Sequence, residues 1–415
     1  YYAYNIQDRV TSVTDPNGIT TTYIYNGFGE KITQISPDTG TTHYWYNEQG
    51  NMTFKQDSRG VIVQYHYDDL GRLTWVQYPD GAEDVHYYYD EVTPTNLYAL
   101  GKLTRITDQS GSTLYEYDHR GNLILDTRVI EGQTYSTGYD YNLANKLTQI
   151  TYPSGRLVNY YRNDPLGRIS AVTTQDSSTA LEQNVITGVQ YLPFGPIDQY
   201  TYGNGLVRDI PHDLDYRLDM IQITDAQQSV MDLDYSYDAF NNIQGIQDNL
   251  IANRSQTFTY DDLHRLQHAW GDYGTNTDHI RYEYDPVGNR TVKELALGSV
   301  AHTTETYSYN PLNNQLDDVV LDTGSGQSTR SLSYNTAGAL ENETTLAGQA
   351  RQYSYNDNLR LIELTTDSTL TGDYLHNALG QRVRKISAQG TKHFHYDQSG
   401  LLLASSNGQG VTLQE

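Results

Sequence analysis

Cysteine is absent from this 415-residue chain, which excludes a disulfide framework and thiol chemistry. No apolar run reaches the length of about 18 residues that a membrane-spanning helix requires, so no membrane span is expected. Basic residues are scarce, with 27 Lys and Arg against 51 Asp and Glu and a net charge of −24. An acidic body repels phosphate backbones, so no nucleic-acid partner is expected. Apolar residues make up only 37%, which suits thin sheets with much surface better than one thick core. Phenylalanine (6) and tryptophan (3) are rare as well. The aromatic content is therefore almost all tyrosine, at 39 residues.

Those tyrosines are periodic. Tyr4, Tyr25, Tyr46 and Tyr67 stand 21 residues apart, and Tyr46 and Tyr67 open full copies of a motif of Tyr, Asp or Asn, two variable residues, Gly or Asn, a variable residue and an aliphatic. Clear copies run from Tyr67 to Leu73, from Tyr117 to Leu123, from Tyr237 to Ile243 and from Tyr334 to Leu340. A second aromatic often lies two residues earlier, as in Tyr44/Tyr46, Tyr65/Tyr67 and Tyr282/Tyr284. A step of two puts both rings on one face of a strand, whereas on a helix they would diverge by about 200°. Roughly midway between motifs comes a second turn signal, such as Asp15-Pro16-Asn17-Gly18 or Pro79-Asp80-Gly81. Each unit thus reads as turn, strand, turn, strand, in successive antiparallel hairpins with no helical period between them. Rings of equivalent tyrosines are expected to stack across neighbouring units. The array reads as one continuous body over residues 1–415, with irregular units at about 174–217. A β-propeller with two units per blade is the rival fold. The start at Tyr1, inside a repeat, reads as a piece cut from a longer protein.

Chemistry-bearing constellations are few. Asp38-Thr39-Gly40 and Asp322-Thr323-Gly324 match the triplet that aspartic proteases pair so that two carboxylates share a proton. Both fall where other units carry a plain turn, and the turn is the expected reading. His393 and His395 lie two apart on one strand face, as metal ligands sometimes do, but spacing places no third ligand. The acidic turns lack the twelve-residue calcium loop. There is no Gly-x-Ser-x-Gly elbow, no phosphate-cradling loop and no His-Glu-x-x-His. No catalytic, cofactor-binding or metal-binding residue is therefore assigned, no cofactor is expected, and the chain is expected not to be an enzyme.

The motif from Tyr67 to Leu73, and Tyr284-Asp285-Pro286-Val287-Gly288-Asn289-Arg290, resemble the YD repeats of the bacterial Rhs family, shared by toxin-complex B/C components and teneurins. The resemblance extends over essentially the whole chain. It implies an all-β fold, in which tandem hairpins form a long antiparallel sheet that spirals into a hollow shell or part of one. Residues 374–415, with Leu379–Lys385 and Phe394–Ala404, are similar to the last repeats before the family's core boundary. The family's self-cleavage segment and toxin are not found in these residues. What the resemblance implies is a non-catalytic, secreted or cell-surface shell module, exported by a secretion system. Its partners would be its own C-terminal toxin or another cargo outside this chain, together with delivery machinery. An adhesive or carbohydrate-binding repeat module contacting cell-surface glycans is the alternative.

Overall fold

The computed structural model describes residues 1–273, 278–298 and 300–415. It contains 37 strands, numbered β1 (Tyr2–Tyr4) to β37 (Thr412–Gln414) in chain order, and one 3-10 turn at Ala252–Arg254. Every strand pairs antiparallel with the strand before it and the strand after it, from the first hairpin to the last, so the whole chain is one up-and-down meander. The strands are not grouped into four-stranded blades, which sets the propeller aside. Hydrogen bonds then join residues far apart in sequence, from Asn314 to Asp15, a separation of 299, to Arg156 and Glu415, a separation of 259. The sheet therefore winds past its own beginning, as an open spiral.

The consequence for surface is large. A compact monomer of this mass exposes about 16,000 Å², whereas this chain exposes 22990 Å². A wall one sheet thick accounts for the excess. Most strand residues are accordingly half-buried, and the fully buried ones concentrate where the second turn of the spiral meets the first.

The repeat motif builds one kind of corner, here called the tyrosine rim. At Asp68 the carboxylate Oδ1 accepts the N–H groups of Leu70 (3.0 Å) and Arg72 (2.9 Å), which closes the turn. An acceptor two atoms from the backbone does this, hence Asp or Asn in the slot. Gly71 follows at φ +76°, and other units fill that place with residues such as Asn241 (+69°), His264 (+60°), Tyr216 (+62°) or Leu359 (+57°). Just before the corner the pairing slips. His66 faces Trp75 but Tyr67 faces Leu73, so Thr74 is an extra, bulged residue. The same slip precedes Tyr25, Tyr46, Tyr237 and Tyr334.

Candidate functional site: the latches and the seam

The anchoring tyrosine works through its hydroxyl. Tyr67 donates to the carbonyl of Met52 at 2.8 Å, and Tyr46 to that of Lys31 at 2.9 Å. Tyr237 donates to Leu218 at 2.7 Å and Tyr334 to Leu316 at 3.0 Å. In each case the acceptor lies at the start of the returning strand of the preceding unit, so each unit is latched to the last. Where Arg162 follows Tyr161 in an irregular unit, its guanidinium makes the equivalent bond to Leu147 at 3.0 Å. The expected stacking of tyrosine rings between units is not what organises them. Close tyrosine pairs such as Tyr200/Tyr202 lie within one strand. Across units the rings sit under cations. Arg72 lies 4.4 Å from the Tyr89 ring centre, Arg168 4.2 Å from Tyr191 and Arg265 4.7 Å from Tyr284. The same arginines hold their own corner carboxylates, Arg72 to Asp68 at 2.7 Å and Arg265 to Asp261 at 2.7 Å. A side-chain bond from Arg168 keeps Asp164 down at about 2. With their hydroxyls spent on neighbouring carbonyls, the motif tyrosines are not free donors for a sugar.

A seam forms where the second turn of the spiral meets the first. Tyrosine-rim corners of the second turn sit on the opposite rim of the first, whose corners carry acceptors. Asn314 donates to Asp15 at 2.6 Å, and the Asp357 N–H to Glu83 at 3.0 Å. The Ala378 N–H donates to Asp108 at 2.5 Å. Backbones touch at one point. A Cβ on Gly338 would stand 2.7 Å from the Asp38 carbonyl oxygen, so this corner fits only as glycine.

Further along, edge contact becomes overlap. Strands β33 (Thr369–His376) to β36 (Leu402–Asn407) lie over β12 (Leu123–Ile130) and β13 (Gln133–Tyr141), and Ile130, Tyr135, Val383 and Leu375 pack together. The tyrosine-bearing face of β13 meets the other face of β35 (Gly390–Tyr396). The Tyr135 hydroxyl is 2.9 Å from His393 Nδ1 and 3.2 Å from Ser406 Oγ, and Ser406 Oγ is 2.9 Å from His395 Nε2. Glu131 reaches His393 Nε2 at 3.3 Å and pairs with Arg384, which also pairs with Asp373. Beneath them, buried Arg128 grips buried Asp126 at 2.8 Å and donates to Gln381 at 2.8 Å. Burial, followed by the charges of His393 and Arg128, pulls His395 down to about 4. In the edge-to-edge part of the seam, burial pushes Tyr78 up to about 12.

The weighed residues fall as follows. His393 and His395 are joint residues of the overlap, and no cluster of three or more His, Cys, Asp or Glu with metal-holding geometry exists among the described residues. Asp38 lies at the seam beside Gln315, at the near end of the strand Leu316–Asp322. Asp322 is at its far end, about 20 Å away over seven residues, and bonds to Gln327 and the Gly324 N–H. The two carboxylates cannot share a proton. A hollow of about 510 Å³ forms a trough lined from Ser331 to Gln352 and by Thr365 and Ser368. Its one carboxylate, Glu343, is tied to Arg330 and Tyr353. Glu131 and Tyr135 carried no sequence signal, because their partner His393 lies more than 250 residues away, and the same holds for the bond from Arg128 to Gln381.

Comparison with known proteins agrees with this construction. The family model described as RHS Repeat matches residues 4–42 and 98–134. No curated protein is a significant match. Among solved structures, the crystal structure of TcdB2-TccC3-Cdc42 superposes with a TM-score of 0.74 at 18% identity, covering 99% of this chain and 23% of that one. TcdB2-TccC3 gives 0.71 at 17% identity, with 99% and 26% covered. The Tc holotoxin pore of Photorhabdus luminescens gives 0.67 at 17% identity, with 99% and 25% covered. RHS repeats are thus matched in these two stretches, and the chain as a whole shares the fold of these structures. Its all-β spiral is the fold of those toxin-complex shells, and the chain spans about a quarter of the length of the chains it matches. The wall thus has a shell-like, Rhs-repeat fold. No helix among the described residues is long and apolar enough to cross a membrane.

Proposed function

We propose that this chain is a non-catalytic stretch of wall, residues 1–415 acting as one array, in a secreted Rhs/YD-repeat protein. The wall encloses and shields a toxin or effector that lies outside these residues. The observation that carries the reading is the spiral that passes its own start and locks onto itself from Asp15 to Glu415, around a surface too large for a solid body. Strands paired along both edges leave a protease little backbone to thread through the wall. The end of the array, residues 374–415, is read as the last repeats of the wall, tucked over β12 and β13. Delivery machinery and cell-surface glycans are partners of the whole protein in this reading. The test fuses an unstable reporter polypeptide after Glu415 and exposes it to a broad-specificity protease. Survival of the reporter while a free copy is degraded supports containment. Degradation at the rate of the free copy overturns it.

A further inference from the structure

One unit departs from the rest, and the departure frees a ring. Gly71 follows Tyr67 after three residues, whereas five separate Gly167 from Tyr161. Arg162 takes over the latch in this longer unit. Cross-strand pairing runs from Tyr139 to Ile150 and on to Val158, so Tyr160 keeps the face of the motif tyrosines and Tyr161 takes the other. There Tyr161 is 40% exposed, opposite Ala171, which is too small to cover it. Its hydroxyl donates to Glu182 Oε1 at 2.6 Å, and Asn159 Nδ2 donates to the same oxygen at 3.0 Å, with the Thr173 hydroxyl as a third donor. The ring is thereby held in one orientation with much of its surface open. A row of polar side chains runs beside it on the same face. Asp140 stands opposite Gln149 and Gln149 opposite Asn159, to which Gln149 donates at 2.6 Å. The exposed Asp140 carboxylate has no partner among the described residues. Asp140, Gln149, Asn159 and Tyr161 line a trough of about 410 Å³, and the row from Asp140 to Asn159 crosses two strand spacings, about 10 Å. Arg162 borders it as well, with its Nε and Nη1 already given to the carbonyls of Leu147 and Gly167.

We propose that this trough binds a neutral disaccharide. Sugar hydroxyls both donate and accept, which suits a row of carboxylate and amides, and a pyranose has an apolar C–H face that suits an aromatic ring. The row has length for two rings, one lying on Tyr161 and one whose hydroxyls reach Asp140. The carboxylates of Asp140 and Glu182 turn away an acidic ligand, and the guanidinium of Arg162 disfavours a cationic one. The motif tyrosines, on the opposite face and latched by their hydroxyls, make no such site. The site does not depend on containment: it stands whether or not the wall encloses a cargo.

Saturation-transfer NMR on the purified chain tests this, with lactose, cellobiose, maltose and N,N′-diacetylchitobiose offered in turn. The expected result is transfer to at least one of them, with a Kd of about 0.1–10 mM. Asp140→Ala, at a side chain that makes no hydrogen bond in the fold, should weaken binding at least about fivefold. Tyr161→Ala should abolish it. Tyr161→Phe should keep it within about threefold, because the ring and not the hydroxyl meets the sugar. The unfolding midpoint of each variant shows that the fold is kept, and Asp140→Ala carries the test if Tyr161→Ala does not fold. No transfer to any of the four sugars overturns the proposal, as does binding indifferent to both alanine changes. So does an equal loss in Tyr161→Phe and Tyr161→Ala, which would take the ring out of the site.

Discussion

Two stretches of one sheet behave differently. Around β12, β13 and β33–β36 the wall is two layers thick, and Asp126, Arg128, His393 and Ser406 are buried there. Around β18 (Ile197–Tyr202) and β19 (Val207–Asp209) it is one layer thick, β19 has three residues, and nothing in either strand is fully buried. Both stretches share the meander and the same corner chemistry. The single layer is held by what each unit does for the next: a hydroxyl latch, a cation over a ring, a capped turn. The double layer adds buried charge and apolar packing between residues distant in sequence. The local terms give the sheet its form, and the overlap fixes its winding.

That contrast can be broken most sharply at Asp126. Asp126→Ala leaves the Arg128 guanidinium buried without its counter-charge, and a loss of about 3–5 kcal/mol is expected. It should be read as a denaturant transition that separates the overlap from the remaining wall. A change below about 1 kcal/mol would show that the second layer adds little.

Acid should act on the same layer. His395 is held at about 4 against an ordinary 6.5, so between those values the folded chain binds fewer protons here than the unfolded one. The stability from this site is whole above pH 6.5 and drains away as pH falls toward 4, by at most about 3 kcal/mol. His395→Gln should flatten that part of the pH–stability curve, and an unchanged slope would remove His395 as its source.

Glycine substitutions give a smaller, paired comparison. Gly71→Ala and Gly338→Ala both place a side chain at positive φ, a strain of about 1–2 kcal/mol each. Only the second also drives a methyl into the Asp38 carbonyl, which should add about 1–3 kcal/mol. Equal unfolding midpoints for the two variants would mean that the seam gives way at no cost. Smallest of all is the latch. Tyr237→Phe removes one hydroxyl bond to Leu218, and a loss of about 1 kcal/mol is expected in the single-layer transition, with the overlap untouched.

The single layer was legible in the sequence and the double layer was not. The step of two between Tyr65 and Tyr67 gave the strand, and the slot of Asp68 and Gly71 gave the corner, because both are set by neighbours a few residues away. The role of the tyrosine was misjudged: ring stacking was expected, where a hydroxyl reaching back to the preceding unit is found. That reach of 15 residues, from Tyr46 to Lys31 or Tyr67 to Met52, is itself written in the repeat. The seam left no such trace. Which of the many acidic corners meets which amide depends on how many strands complete one turn, and that follows from the summed twist and curl of the whole sheet. His393 and His395 looked like half of a metal site because their true neighbours, Tyr135 and Ser406, could not be placed beside them without the winding.

The meander also sets a timetable. Each strand needs only its predecessor, so hairpins can form one by one as the polypeptide emerges from the ribosome. Asp15 must wait for Asn314, 299 residues later, which at ordinary synthesis rates is about 15–60 s. For that interval the growing wall has only its local bonds, and the winding is set last, by synthesis itself.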